Sequence, residues 1–229
     1  MNDRLLVVFS KAPVPGRVKT RLTPPLSPER AAAVHEASLR DVVARAGGVE
    51  ADLVIRYAGG AGSREYFRRS FPDLSALPQG TGDLGSRLSN AFDAAFASGR
   101  VAVVAIGADS PTLPPSRLSE AFSTLTRSDT AQPDVLLGPA IDGGYYLVGL
   151  TTRVWPRARD LFRHIPWSTR QVLGATLERA AELALGVELL DPWYDIDGID
   201  DLRAAAADAQ PTSHLGRLLA LDGWKSDRA

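Results

Sequence analysis

Residues 101–111 read Val-Ala-Val-Val-Ala-Ile-Gly-Ala-Asp-Ser-Pro, and this stretch decides the fold class. Its first six residues are apolar without interruption, which is typical of a strand buried on both faces of a parallel sheet. The polar residues that follow, Asp109 among them, then lie beyond the carboxyl end of that strand. Open α/β sheets bind their ligands at this edge. The stretch therefore predicts an α/β protein with a site near Asp109.

Strand-like and helix-like segments alternate on both sides of this run. We predict strands at 5–9, 52–57, 101–106, 135–137, 145–150 and 187–190. We predict helices at 27–46, 63–69, 84–97, 115–127, 157–163 and 169–185, a last Ala-rich helix after residue 201, and frayed final residues from about 220. The alternation implies a mostly parallel sheet in a three-layer α/β/α arrangement. Residues 1–229 are expected to form one domain with its core at about 4–210.

Composition excludes several classes of protein. The formal net charge is −1, which gives no general basis for binding nucleic acid, and the absence of cysteine excludes disulfides, thiolate metal sites and cysteine nucleophiles. Three histidines make a multi-histidine metal site an unpromising hypothesis. No apolar run approaches the length of a membrane span, and the run at 5–9 is too short for a signal peptide. We expect a cytoplasmic protein that is a monomer or homodimer and does not bind membranes.

The loop after the first strand, residues 10–22, is rich in cations and is called the cation loop below. It carries Lys11, Arg17, Lys19 and Arg21, and no acidic residue lies within it. Arginine supplies forked donors for phosphate oxygens and lysine a point charge, so we predict that the four side chains bind phosphates. The alternative is a solvated surface loop. The pattern is neither a Walker A loop nor a dinucleotide-binding fingerprint.

Acidic residues follow two of the predicted strands. Asp109 lies just past the central strand, where it could hold a hard cation beside phosphates, or cap the turn before the following proline. Asp195 and Asp197 follow the last strand and point the same way if that segment is extended. We predict Asp109 and Asp197 as ligands of Mg²⁺ or Mn²⁺, with Asp195 in support. Asp200 and Asp201 are interpreted as residues of a helix N-terminus.

Two further segments are candidates for substrate binding. Residues 79–83, which are Gln79, Gly80, Thr81, Gly82 and Asp83, lead into a helix and could contact a nucleobase or an anion. In the competing interpretation they form an ordinary capping loop with Asp83 as the N-cap.

The other candidate segment contains Asp142, Gly143 and Gly144. Its paired glycines could let the backbone approach a ligand, and Asp142 could bind an acceptor hydroxyl. An ordinary hairpin turn is equally compatible with this pattern. Trp167 is a candidate wall of the acceptor pocket or a core residue, and Ser168 is a candidate N-cap of the helix that follows.

Six motifs occur in an order that resembles a known family. They are FSKAPVPGRVKTRL, QGTGDLGSRL, GADSPTL, DGGYYLVGL, FRHIPWST and DIDGIDDL, and they span roughly residues 5–202. They resemble the bacterial DUF2064 family, described elsewhere as candidate glycosyltransferases and linked in part to arsenosugar biosynthesis. The start of the chain is also similar to phospholactate guanylyltransferase. GADSP and DIDGIDDL are similar to motifs of molybdenum-cofactor guanylyltransferase and of cytidylyltransferases for acidic sugars.

The resemblance implies an A-type glycosyltransferase fold of the nucleotide-diphospho-sugar transferase superfamily. It implies that Asp109 and Asp197 bind the metal, that the cation loop lies at the phosphates and that residues 79–83 lie near the base. The chain departs from sugar nucleotidyltransferases in lacking the Gly-x-Gly-Thr-Arg loop, and Gly198 stands where many relatives have threonine.

Three functions remain open from the sequence. The favoured one is nucleotidyl transfer from a nucleoside triphosphate to a small phosphorylated or acidic acceptor, with Lys19, Asp109 and Asp142 in the catalytic set. The second is glycosyl transfer from a nucleotide-diphospho-sugar. The third is a nucleotide-binding protein without catalytic activity.

Overall fold

A computed structural model describes residues 2–128 and 132–221, and in that part of the chain seven strands form one sheet. The strands are β1 (Arg4–Lys11), β2 (Asp52–Ala58), β3 (Ser75–Pro78), β4 (Ala102–Gly107), β5 (Val135–Pro139), β6 (Tyr145–Thr151) and β7 (Val187–Leu189). Their spatial order is β3-β2-β1-β4-β6-β5-β7. Strand β6 runs antiparallel to β4 and β5, and all the other pairs are parallel. The mostly parallel sheet is confirmed.

Helices cover both faces of the sheet. They are α1 (Pro28–Ala46), α2 (Ala61–Ser70), α3 (Leu84–Ala97), α4 (Pro115–Leu125), α5 (Trp155–Ala158), α6 (Val172–Glu182), α7 (Ile199–Asp208) and α8 (His214–Leu221). Core residues of α1, α2 and α4 pack on one face of the sheet, and those of α3, α5 and α6 pack on the other. The three-layer α/β/α arrangement is therefore confirmed. No helix among the described residues is both long and apolar enough to span a membrane.

The burial of β1 explains this layering at the level of single residues. Leu6 and Val8 belong to the core on one face of the sheet, whereas Leu5 and Val7 belong to the core on the other. Successive side chains of a strand point to opposite faces, so a continuous apolar run is required where both faces are covered.

Several predicted boundaries differ from the structure. Strand β3 was not predicted, because its four residues lie at the sheet edge and are largely exposed. The helix predicted at 157–163 is wrong beyond Ala158, where turns replace it. The N-cap predicted at Ser168 is also wrong: this residue has φ 65° and α6 begins later, at Val172. Of the predicted frayed end, residues 222–229 lie outside the described residues.

A third core cluster joins the C-terminal helices to the two segments that bear candidate site residues. It contains Leu22 of the cation loop, Ile196, and residues of α1, α7 and α8, including Leu215. Leu22, Ile196 and Leu215 are fully buried. The packing of α7 and α8 therefore fixes the cation loop relative to Ile196.

Replacement of Asp41 by alanine should destabilise this arrangement. The buried Asp41 carboxylate accepts hydrogen bonds from the backbone amides of His214 (2.7 Å) and Leu215 (2.9 Å), which begin α8. Losing both bonds in a buried setting should lower the free energy of unfolding by about 2 kcal/mol. Urea unfolding of Asp41→Ala would measure this, with the exposed Asp73→Ala as control. Equal stability of the two variants would contradict the capping role.

Candidate functional site

The cation loop and Asp109 leave neighbouring strands at the same edge of the sheet. Strands β1 and β4 are paired in parallel, with Phe9 opposite Gly107. The cation loop begins at the end of β1, and Asp109 follows the end of β4 by two residues. Parallel pairing thus brings together two segments that lie far apart in the sequence.

Residues 195–197, called the acidic segment below, lie beside Asp109. The backbone amide of Ile196 donates a hydrogen bond to the carbonyl oxygen of Asp109 (2.8 Å). Asp195 and Asp197 flank the buried Ile196, and the Ser110 hydroxyl donates to the Asp195 carboxylate. The Asp201 carboxylate accepts from the amides of Asp197 (3.1 Å) and Gly198 (2.7 Å), so it fixes the backbone on which Asp197 stands. Three carboxylates therefore gather at one place.

Two cations of the loop bind these acids directly. The Lys19 ammonium contacts the Asp109 carboxylate and the carbonyl oxygen of Ile196, and its side chain is only 4% exposed. The Arg21 guanidinium lies 3.0 Å from the Asp197 carboxylate, at the surface. The cation loop holds no acid of its own, and these two residues pair with acids from elsewhere in the chain. Sheet topology supplies the counter-charges.

The electrostatics of the three carboxylates differ. Burial would raise the pKa of Asp109, but the charges of Lys19 and His35 outweigh it, so the net pKa lies below the usual value. Burial raises the pKa of Asp195 to about 7, and the charge of Asp109 adds to the shift. Burial also raises the pKa of Asp197, although Lys19 opposes this. The raised pKa values of Asp195 and Asp197 thus come mainly from burial, and the charge of Asp109 adds to both.

A hairpin brings Asp142 towards the same cluster. Asp142 lies in the turn between β5 and β6, where its carboxylate accepts a hydrogen bond from the amide of Gly144 (2.9 Å). Its negative charge contributes to the raised pKa values of both Asp195 and Asp197. Gly143 has φ 95°, and a side chain there would collide with the Arg170 carbonyl at 2.3 Å. The residue must therefore be glycine because the Arg170 backbone lies close to it, which is a contact within the chain.

Residues 79–83 lie at the entrance to α3, and two of them have structural roles. The buried Gln79 amide donates to the carbonyl oxygens of Ser10 (3.2 Å) and Arg56 (2.9 Å), so it ties the ends of β1 and β2 together. Both amide hydrogens are used in this way, so Gln79 has a structural role, and its contact with a base stays a prediction. Asp83 caps α3 by accepting from the Ser86 amide at 2.8 Å. Gly80, Thr81 and Gly82 remain candidates for substrate contact.

The remaining predicted residues are Lys11, Arg17 and Trp167. Lys11 is exposed at the end of β1, and its charge contributes to the lowered pKa of Asp109. Arg17 is exposed on the cation loop. Trp167 is partly buried against Tyr145, with ring centroids 6.2 Å apart, and packs over Gly85 of α3. This packing favours the core interpretation of Trp167 over a role as a pocket wall.

Sequence reasoning missed three contributors to the site. The Ser110 hydroxyl donates a hydrogen bond to the Asp195 carboxylate. Its place beside Asp109 in the GADSP motif was a signal that could have identified it. The carbonyl oxygen of Ile196 binds Lys19 and left no signal, since a backbone group carries no sequence identity. His35 is buried under the cation loop, where its Nε2 lies 3.0 Å from the Lys11 carbonyl oxygen. As a histidine in mid-helix it gave no spacing signal.

The carboxylates fit a hard divalent cation. No three histidine, aspartate or glutamate side chains within residues 2–128 and 132–221 are arranged to hold an ion unaided. Mg²⁺ usually takes one or two carboxylates and completes its shell with substrate oxygens and water. Asp109 and Asp197 supply that number, and their side chains are 46% and 42% exposed, although each is paired with a cation of the loop in this structure.

The chain is similar to proteins of known structure. A protein from Desulfovibrio desulfuricans G20, described as a candidate nucleotide-diphospho-sugar transferase, is 30% identical with a TM-score of 0.89 over 97% of this chain and 96% of that one. CMP:2-keto-3-deoxy-manno-octonic acid synthetase, solved with CTP, is 12% identical (TM-score 0.56, 89% and 97% covered). Rv0371C of Mycobacterium tuberculosis H37Rv, solved with manganese, is 17% identical (TM-score 0.51, 90% and 99% covered).

The first likeness extends to the sequence, whereas the other two show the fold alone. No curated protein matches the chain. Residues 41–169 match the family described as "Uncharacterized protein conserved in bacteria (DUF2064)". This match covers more than half of the chain and agrees with the motif resemblance. The chain therefore belongs to the DUF2064 family.

Proposed function

We propose that this protein is a metal-dependent transferase that moves a nucleotidyl group from a nucleoside triphosphate to a small phosphorylated or acidic acceptor. One observation carries the proposal: Lys19 and Arg21 meet Asp109 and Asp197 at the ligand-binding edge of the sheet. Cations for phosphates and carboxylates for a divalent ion are thus present in one place. The likeness to a candidate nucleotide-diphospho-sugar transferase supports a nucleotide substrate.

The reaction would join an acceptor oxygen to the α-phosphorus and break the bond from that phosphorus to the bridging oxygen. Pyrophosphate leaves with the electron pair of that bond. Lys19 and Arg21 would stabilise the negative charge that grows on it. A bound Mg²⁺ or Mn²⁺, held by Asp109 and Asp197, would supply further neutralisation of phosphate oxygens. Gly80, Thr81 and Gly82 would lie near the base.

Asp142 is proposed to contact the acceptor. Among the described residues, its carboxylate accepts a hydrogen bond only from the Gly144 amide of its own turn, so it has no basic partner there. A hydroxyl acceptor would donate to this carboxylate, which could also take its proton. A phosphate or carboxylate acceptor has no proton to lose, and Asp142 would then act on the orientation of neighbouring hydroxyls.

Glycosyl transfer from a nucleotide-diphospho-sugar is the second candidate function. The specific observation that favours it is the 30% identity to the Desulfovibrio desulfuricans protein described as a candidate transferase of that kind. The same cations and carboxylates would then bind a diphosphate, and Asp142 would orient or deprotonate the acceptor hydroxyl.

Replacement of Arg21 by alanine tests phosphate recognition. We expect the affinity for a nucleoside triphosphate with Mg²⁺ to fall about tenfold, because one charge-assisted hydrogen bond is lost. Affinity for the corresponding nucleoside should be unchanged. Isothermal titration would measure both, with Arg203→Ala as the matched control, since Arg203 is also exposed and paired with an aspartate. Equal losses for triphosphate and nucleoside would mean that Arg21 acts through folding.

A further inference from the structure

The Lys19 ammonium lies against the Asp109 carboxylate, where the divalent cation of the proposed function would bind. This ammonium is bound between the Asp109 carboxylate and the Ile196 carbonyl oxygen, and the Lys19 side chain is 4% exposed. Its backbone has φ 48° and ψ 38°, a left-handed conformation that residues other than glycine adopt uncommonly. The adjoining helical turn is anchored by the buried Leu22. The fold thus places this ammonium on Asp109 despite an unfavourable backbone conformation.

We propose that Lys19 is an exchangeable occupant of the carboxylate site, bound to Asp109 without ligands and transferred to the phosphates when a divalent cation binds Asp109. This inference rests on the proposed function and concerns how the same site is regulated. An ammonium and a divalent cation on one carboxylate repel each other, so each weakens the binding of the other. A phosphate group arriving with the metal offers the displaced ammonium a new partner.

The exchange makes metal and nucleotide depend on each other. Metal alone must displace Lys19 without giving it a new partner, and phosphate alone must draw Lys19 away from Asp109. When both bind, each displaced group gains a partner of opposite charge. Coupling of this kind is reciprocal, so it can be measured from either ligand. If the Lys19–Asp109 ion pair were permanent, it would stay formed when metal and phosphate bind. Removing either partner would then weaken the binding of both ligands.

The first test is Mn²⁺ binding without nucleotide by Lys19→Met, which removes the charge and keeps the length of the side chain. We expect its affinity for Mn²⁺ to rise about tenfold over the wild type, because the competing ammonium is gone. Paramagnetic resonance of free Mn²⁺ measures this without reference to activity. Arg203→Met is the matched control, since Arg203 is also paired with an aspartate, Asp200, but belongs neither to the cation loop nor to the proposed metal ligands. Its Mn²⁺ affinity should stay within about twofold of the wild type.

The reciprocal test is binding of inorganic pyrophosphate, in the presence of a chelator, by Asp109→Asn. Releasing Lys19 from its carboxylate should make pyrophosphate bind about tenfold more tightly than to the wild type. This variant also keeps the inference testable if Lys19→Met fails to fold. Both expected changes are gains of affinity, which damage to the fold does not produce.

The outcomes separate this inference from the proposed function. Wild-type or weaker Mn²⁺ binding by Lys19→Met, or wild-type or weaker pyrophosphate binding by Asp109→Asn, would overturn the exchange. If the wild type still binds Mn²⁺ with a nucleoside triphosphate, the proposed function survives. Absence of Mn²⁺ and triphosphate binding in every variant would overturn both.

Discussion

Replacement of Asp109 by asparagine is expected to abolish Mg²⁺-dependent nucleotide binding while the protein stays folded. Asparagine keeps the shape of the side chain but removes the charge that a hard cation requires. We expect the affinity for a nucleoside triphosphate with Mg²⁺ to fall at least about a hundredfold, the loss of a charged ligand that contacts metal. Isothermal titration in Mg²⁺ would measure this loss.

The control for this variant is Asp200→Asn. Asp200 lies three residues after Asp197 but is exposed and paired with Arg203 at 2.7 Å, so its charge should not contribute to ligand binding. Thermal unfolding of both variants would show that Asp109→Asn remains folded, since the carbonyl oxygen of Ile196 still binds Lys19. Unchanged triphosphate affinity in folded Asp109→Asn would remove Asp109 from the proposed metal site.

Features fixed by neighbouring residues were predictable from the sequence. The helix predicted from residue 27 is α1, and the Ser27 hydroxyl caps it by accepting from the Arg30 amide at 3.2 Å. The alternative interpretation of Asp83 as a cap was also sound. Such contacts span three residues, so the residue types near each helix start are sufficient to predict them.

The contacts that build the site connect distant parts of the chain. Lys19 and Asp109 are 90 positions apart, and Arg21 and Asp197 are 176 apart. Order along the sheet decides which loops meet, and strand order is not written in local patterns. The sequence therefore identified the charged residues but predicted phosphates as partners of Lys19 and Arg21, where the structure places carboxylates.

In the segment from 157 to 171, local sequence preference predicts the wrong structure. Its residues allow a helix by local preference, but His164 and Ser168 have left-handed backbones with φ 60° and 65°. The Thr169 hydroxyl bonds the Pro166 carbonyl oxygen (2.7 Å) and accepts from the Gln171 amide (3.2 Å), which holds a turn. Packing of Trp167 over Gly85 requires this path of the chain. Tertiary contacts thus override the local preference for a helix.

The expected release of pyrophosphate decides between the two candidate reactions. Nucleotidyl transfer breaks the bond between the α- and β-phosphates, whereas glycosyl transfer leaves both phosphates on the nucleotide. With a divalent ion on Asp109 and Asp197, the metal cancels the charge of both carboxylates, and the four cations of the loop then stand against the remaining acids, Asp142 and Asp195. A nucleoside triphosphate carries about four negative charges at neutral pH and a nucleotide-diphospho-sugar about two. The charge of the cation loop taken by itself therefore matches the triphosphate better, and Asp142 and Asp195 lower the net charge of the whole site.

We expect a nucleoside triphosphate, Mg²⁺ and a small-molecule cell extract as the source of acceptor to give pyrophosphate that depends on the protein. A coupled assay of pyrophosphate would measure its rate. Lys19→Met should lower that rate at least about a hundredfold, because the exchanged ammonium stabilises the charge that grows on the leaving group. Arg203→Ala, which removes a cation outside the site, should keep the wild-type rate.

The competing reaction gives a different product from a different donor, so one set of assays separates the two. Nucleotide-diphospho-sugars offered with the same extract would release nucleoside diphosphate if the protein is a glycosyltransferase. That product, with no pyrophosphate from any of the common nucleoside triphosphates, would reject nucleotidyl transfer and favour the second candidate. Asp109 and Asp197 would keep their role in that case, because a diphosphate also requires a counter-ion. The excess positive charge of the cation loop would then have to serve the acceptor, which would have to be an anion.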